Sequence, residues 1–393
     1  LSRGLGDVYK RQALAYKGKT LLWAGSPLMN WASGGAKEYN AELCKRGADA
    51  LGQALALTES TNRYELADFS EYNDIFLLHN SSGKLNGVKE SIFMENIKDY
   101  SGRWRWNMVN DFRPQSIEYS GIKCYPTANY VNYYGMQNGY PINDMTKADA
   151  ESGYDPTHPW KNRDPRFYKT IMFDGVKWKS TGGAGGTAEL FTGGRESEEA
   201  NEKKGCFTAY MNSKLCPQLM NTVDGYKENN IMILSLMRLA DVYLMYAEAT
   251  AVGYNGPKGK AATYSLTAEE ALNKIRERAG VAPVLDKFLG STADFLSELR
   301  RERAVELSFE GFRFIDLRRW MLLTQYPYTL KTKIEFDRAD PSDYNYDEPE
   351  ENAIKNLREV VLLERKYTDR HYWYPLPKKD VSMYEGFYQN PGW

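Results

Sequence analysis

The sequence predicts a mainly α-helical domain, interrupted by a long loop-rich insert and a few short strands. Three observations carry this reading. Helical patterns occupy residues 13–57 and 231–323. Residues 58–230 between them are dense in Gly, Pro, Asn and aromatics, and their apolar runs are short. No linker divides these parts, so 13–393 reads as one domain, long enough to bury a substantial core.

The elements follow in order. Residues 1–12, "LSRGLGDVYKRQ", begin with Leu rather than Met and are expected to lie outside the fold. Residues 13–57 form a helix pair, broken at Pro27 and Gly34-Gly35. Its alanines (Ala13, Ala15, Ala24, Ala41, Ala48, Ala54) allow close packing, as in helical repeat arrays. Within the insert, "SIFMENI" and "FYKTIMFDGVKW" read as strands. "GGAGGTAELFTGG" lacks the spacing of a phosphate-binding loop and reads as a flexible loop.

From residue 231 the helical period returns. Leu236, Leu239, Ala240, Tyr243, Leu244 and Ala247 predict one amphipathic face. Thr267 with Glu270 is a capping box, and Gly280 is a helix stop. The next helix turns Leu296, Leu299, Ala304 and Leu307 inward and breaks at Gly311, and a short helix with Phe312, Phe314, Ile315 and Leu317 follows. Residues 324–393 are rich in Tyr, Pro and Asp and read as irregular.

Composition narrows function. The 51 basic and 52 acidic residues give a net charge of -1, without the basic excess of a nucleic-acid binder. Aromatics make up 13% of the chain, and many of its 29 tyrosines lie in polar stretches, where exposed rings serve recognition. Four cysteines with three histidines and no C-x-x-C pair argue against zinc. Cys206 and Cys216 form a disulfide in an oxidising compartment, or remain buried thiols. The most apolar helical stretch, residues 231–249, is interrupted by Arg238, Asp241 and Glu248 and is too polar to span a membrane.

Several segments in order resemble the SusD/RagB family of nutrient-binding outer-membrane lipoproteins. They are "CYPTANYVNYYGMQNGYPI", "NRDPRFYKTIMFDG", "MRLADVYLMYAEA", "ALNKIRERAGV", "LRRERAVELSFEGFRFIDLRRW", "YPLPKKDV" and the terminal "QNPGW". The resemblance implies tetratricopeptide-like helix pairs as scaffold, with a ligand site on long loops. It implies no catalysis and no cofactor, oligosaccharide capture at the cell surface, and a SusC-like TonB-dependent transporter as partner. Oligopeptide capture by the same fold and a helical-repeat protein scaffold are the alternatives. The family's signal peptide and lipid-bearing cysteine are expected to precede residue 1.

Candidate residues follow from local chemistry. In "RRERAVELSFEG" the acids lack the histidines of a di-iron site, so ion pairs between packed helices are expected, with Arg303–Glu306 and Glu310–Arg313 at helical spacing. A glycosidase needs two carboxylates flanking a cleft, and no spacing pairs Asp111, Asp144, Asp155 or Asp164. "NRDPRFY" reads as a structural corner with packed arginines. "DYSGRWRWNMVND" differs: if extended, Trp104 and Trp106 point to one side and Arg103 and Arg105 to the other. Flat rings cover the C–H faces of a pyranose, and Arg or Asn bonds its hydroxyls. Tyr100, Arg103, Trp104, Arg105, Trp106 and Asn107 are therefore the first glycan-binding candidates, with burial of both Trp against the scaffold as the alternative. Tyr154 and Trp160 on a polar, Pro-bearing loop are the second. Tyr130, Tyr133 and Tyr134 belong to a short, partly buried helix. Stacking on single-stranded nucleic acid is disfavoured by Glu95, Asp99, Asp111 and Glu118. The Asp/Asn-rich "RADPSDYNYDEPEEN" is a possible calcium loop, but it lacks the EF-hand spacing.

Overall fold

The structure is a computed structural model. It describes residues 2–61, 63–79, 88–94, 125–180, 185–200, 205–215, 224, 230–233 and 235–393.

Small residues set the first layer. Helix α1 (Ser2–Ala24), the short α2 (Pro27–Ala32) and α3 (Ala41–Glu59) form the expected hairpin, with Asn40 accepting from Leu43 N at 3.0 Å to cap α3. A Cβ at Gly18 would stand 2.4 Å from Leu51 Cγ, so the helices approach as closely as Gly allows. The expected boundary at residue 13 is not a structural one. Buried Arg11 donates to Leu57 O at 3.3 Å and Gln12 donates to Ile92 O at 2.9 Å, so α1 runs through it.

The insert contributes α4 (Ala128–Val131) and α5 (Pro165–Thr170). Its short strands are β1 (Leu77–His79), β2 (Ser91–Met94), β3 (Ile171–Met172), β4 (Met211–Asn212), β5 (Asn230–Met232) and β6 (Ser235–Arg238). They pair antiparallel as β1–β5, β2–β6 and β3–β4. "SIFM" is a strand, as predicted. "FYKT" is not: Asp164 accepts from Arg166 N and Pro165 occupies the first turn, which starts a helix there. The insert also has its own core, built on Trp160, Phe167, Phe173, Tyr210 and Met211.

Helix α6 (Leu239–Gly253) is the centre of the helical scaffold. It is not amphipathic, because every residue from Leu239 to Ala251 is buried. It packs on α3 on one side and on α7 (Ala268–Ala279) and α8 (Thr292–Glu306) on the other. Leu236 lies before it in β6, exposed. The Thr267/Glu270 capping box opens α7 and left-handed Gly280 (φ 72) closes it, as predicted. Leu296, Leu299, Ala304 and Leu307 face inward, and Gly311 (φ 84) turns the chain into α9 (Phe312–Arg319).

Beyond α9 the expected irregular tail is instead a long hairpin, β7 (Leu330–Arg338) with β8 (Ile354–Glu364), before the short α10 (Lys378–Val381). Ile334 and Phe336 of β7 enter the insert's core while Lys333, Glu335 and Asp337 face outward.

Buried ion pairs join these layers. Glu306, fully buried on α8, accepts from Arg238 at 2.7 Å, Arg166 at 3.0 Å and Arg278. Glu302 pairs with Arg276 at 3.0 Å and with Arg166, and Glu310 with Arg238 and Lys214, both at 2.7 Å. Arg303 holds Asp241 at 2.9 Å and Asp316 at 3.0 Å. Ion pairs between packed elements are therefore present. The partners, however, come from distant elements rather than from the i,i+3 positions named above.

Candidate functional site

Residues 95–124 lie outside the described residues, and Tyr100, Arg103, Trp104, Arg105, Trp106 and Asn107 lie with them. The chain enters that segment from β2 and leaves it at Tyr125, whose ring packs edge-on against Phe207 with centroids 5.1 Å apart. Two residues later Thr127 opens α4.

The second pair of candidates is corrected. Trp160 is 0% exposed: Phe173 stacks on it at 5.0 Å, Phe336 meets it edge-on at 5.3 Å, and its indole N–H donates to the Tyr210 hydroxyl at 3.4 Å. Tyr154 is 3% exposed and donates to Met145 O at 2.8 Å. The polar loop that carries them folds back on the hairpin, where Ile354 N donates to Thr157 O at 2.8 Å. Neither ring has a face left for a ligand. "NRDPRFY" is the structural corner expected, with Arg163 and Arg166 buried and Arg163 bonding the carbonyls of Val131, Tyr134 and Pro159. Cys206 is a buried free thiol pushed up to about 11, chiefly by burial, and Cys216 lies outside the described residues.

The α4 segment forms one wall of a cleft of about 460 Å³, closed by β7, β8 and α8. Asn129 staples α4 to the strand. Its side chain donates to Leu330 O at 2.8 Å and accepts from Thr332 N at 3.3 Å, while its own N–H donates to Thr332 Oγ1 at 2.9 Å. Arg301 of α8 fixes the floor by donating to Tyr133 O at 3.1 Å and Gly139 O at 3.0 Å, with Glu298 on its Nε at 2.9 Å. Against this fixed frame, Asn132 Oδ1 is buried without a hydrogen-bond partner. Half-buried Tyr133 lines the wall, and Tyr326, 76% exposed, stands at the rim. Burial is the main cause raising the Tyr133 phenol above its usual range, so it stays a neutral donor at ordinary pH.

Aromatic faces beside amide groups and an unused acceptor suit a polyhydroxylated ligand. Glu359 is the one carboxylate among the cleft's described residues, and its Oε1 accepts from Thr332 Oγ1 at 2.6 Å. Among the described residues no group of three or more His, Cys, Asp or Glu side chains is placed to hold a metal ion. No helix among them is long and apolar enough to cross a membrane. Of the cleft residues, sequence reading singled out only Tyr133. Asn129, Asn132, Arg301, Tyr326 and Glu359 converge from four distant segments and carry no common local signal.

Stacked helix pairs with a loop-rich insert and a polar, aromatic-edged cleft define a helical-scaffold binding protein. The chain belongs to the SusD family, whose profile matches residues 89–393. No curated protein matches it in sequence. Solved structures show the fold. A SusD-like protein from Bacteroides fragilis superposes with TM-score 0.67 at 21% identity, covering 98% of this chain and 65% of its own. A SusD-like carbohydrate binding protein from the same species gives 0.60 at 20%, covering 95% and 63%. Surface glycan-binding protein A from Bacteroides fluxus gives 0.50 at 17%, covering 97% and 62%. The chain thus spans less than two thirds of the length of each of these three.

Proposed function

We propose that this protein binds oligosaccharides at the cell surface without catalysis and passes them to a SusC-like TonB-dependent transporter in the outer membrane. Family membership supports the class, and two similar structures are of proteins described as carbohydrate- or glycan-binding. The observation that carries it is the fixed cleft beside α4, with Tyr326 at its rim and Asn132 Oδ1 unbonded in its wall. Residues 95–124, which hold Tyr100, Arg103, Trp104, Arg105, Trp106 and Asn107, precede that wall in sequence, and on this reading these side chains supply the stacking face and further donors. A lipid anchor of the kind the family resemblance implies holds the protein at the outer membrane.

Calorimetric titration of the full-length protein against a glycan library tests this. At least one oligosaccharide binds, and Trp104→Ala and Tyr326→Ala each weaken it about tenfold, the scale of one lost stacking contact. Absence of binding to any glycan overturns the reading, and release of reducing sugar overturns the non-catalytic part.

A further inference from the structure

Beside the cleft lies a group of cations that the scaffold leaves unneutralised. Elsewhere most of the buried cations pair with acids, as Arg166, Arg238, Arg276, Arg303, Arg319 and Arg338 do, and buried Arg163 is held by backbone carbonyls instead. Arg313, Lys331 and Arg365 break that pattern, with no ion-pair partner among the described residues. All three are half-buried.

Their positions follow from the backbone. Lys331 of β7 pairs with Leu363 of β8, and Arg365 N donates to Thr329 O at 3.0 Å. Strand alternation then puts Lys331 and Arg365 on one face as diagonal neighbours. Arg313 comes from α9. Its guanidinium lies 4.7 Å from the centroid of the Tyr133 ring and 5.5 Å from that of Tyr328. Tyr133 also lines the cleft, so Arg313 and the cleft share that ring, while Lys331 alternates along β7 with the cleft-lining Leu330 and Thr332. Burial, then Arg365, then Arg313, push the Lys331 ammonium down to about 8, with no carboxylate among the described residues opposing them.

Holding like charges together in a partly dry corner is unfavourable unless an anion joins them. The Tyr133 and Tyr328 rings hold the Arg313 guanidinium plane in place, which preserves its fork for an oxyanion. We propose that Arg313, Lys331 and Arg365 form a receptor for the carboxylate or sulfate of an acidic glycan seated in the adjoining cleft. This rests on the glycan-binding reading above and adds the ligand's charge to it.

Titration of the full-length protein with three oligosaccharide sets of matched length tests it: neutral malto- and xylo-oligosaccharides, oligogalacturonates, and sulfated carrageenan oligosaccharides. At least one anionic set binds about tenfold or more tighter than the neutral sets, and raising the salt concentration weakens it selectively. Oligogalacturonate preference identifies a carboxylate, and carrageenan preference a sulfate. Arg365→Gln lowers the anionic affinity about tenfold and leaves any neutral binding and the circular dichroism unchanged, while Arg365→Lys restores most of the loss. Equal binding of neutral and anionic sets, or an Arg365→Gln protein that keeps full anionic affinity, overturns the proposal while leaving glycan binding intact. Failure of all sets and of the wider library would instead remove the glycan-binding reading itself.

Discussion

Glu306→Gln is the sharpest test of what holds the scaffold together. Glu306 is fully buried, and its carboxylate faces Arg238 at 2.7 Å, Arg166 at 3.0 Å and Arg278. Burial disfavours its charged form. The Arg278, Arg238 and Arg166 guanidiniums and the Lys214 ammonium overcome that, and its pKa is held well below the ordinary value. Glutamine keeps the volume but removes the charge, and it turns an N–H₂ donor toward a donor. Its backbone carbonyl still accepts from Arg238 at 2.8 Å and Lys214 at 3.0 Å, so those bonds persist. Leaving a buried charge cluster one carboxylate short costs about 3–5 kcal/mol, against a typical domain stability of about 5–15 kcal/mol. Urea unfolding followed by circular dichroism measures the loss. The exposed pair Lys37–Asp369, at 2.9 Å, is the control, and Asp369→Asn should cost at most a few tenths of a kcal/mol. The sign with pH follows from the lowered pKa. Between the folded and unfolded values the unfolded state binds more protons, so this contribution is complete above about pH 4.3 and lost as pH falls below it. The glutamine variant should therefore show a shallower loss in acid. A loss under about 1 kcal/mol, or an unchanged acid profile, would refute the reasoning.

Two further outcomes are expected. A Cβ at Gly253 would stand 2.5 Å from Lys45 Cα, a backbone atom that cannot swing aside, so Gly253→Ala should push α3 from α6 and cost about 1–3 kcal/mol in the same unfolding assay. Lys331, with a pKa near 8, faces Arg365 and Arg313, with the Tyr133 and Tyr328 phenols beyond Arg313. It loses its charge as pH rises through that value, so affinity for an anionic oligosaccharide should fall between about pH 7 and 9, and Lys331→Gln should abolish that inflection.

Much of the helical scaffold was legible because its signals are local. The capping box at Thr267 needs only four residues, and the left-handed stop at Gly280 and the left-handed turn into α9 at Gly311 need one each. Helix α6 was found but its environment was misread: the expected apolar face is real, yet Asp241 and Glu248 on the other faces are buried too, paired with Arg303 and Arg319. The hairpin β7–β8 was missed although "KTKIEFDR" alternates with period two, because its partner strand pairs across a loop rich in Asp and Pro. Trp160 was misplaced for a physical reason. Its neighbours in sequence are polar, and the rings that bury it, Phe173, Tyr210 and Phe336, arrive from elsewhere in the chain. The cleft was illegible on the same ground, since α4, α8, β7 and β8 meet only in the fold.

Charge was more legible than the pairings first suggested. Glu298, Glu302 and Glu306 recur every four residues and so line one stripe of α8. Like charges at that spacing repel by about 0.2–0.5 kcal/mol per pair on an isolated helix. A buried stripe of acids calls for cations from other elements, and Arg276, Arg166, Arg238 and Arg278 supply them. The converse holds at the hairpin. Arg313, Lys331 and Arg365 gather without acids from any described element, in a protein that neutralises its acid stripe completely. On the reading proposed above, the anion of a ligand supplies the opposing charge, brought by the cleft that shares Tyr133 with Arg313.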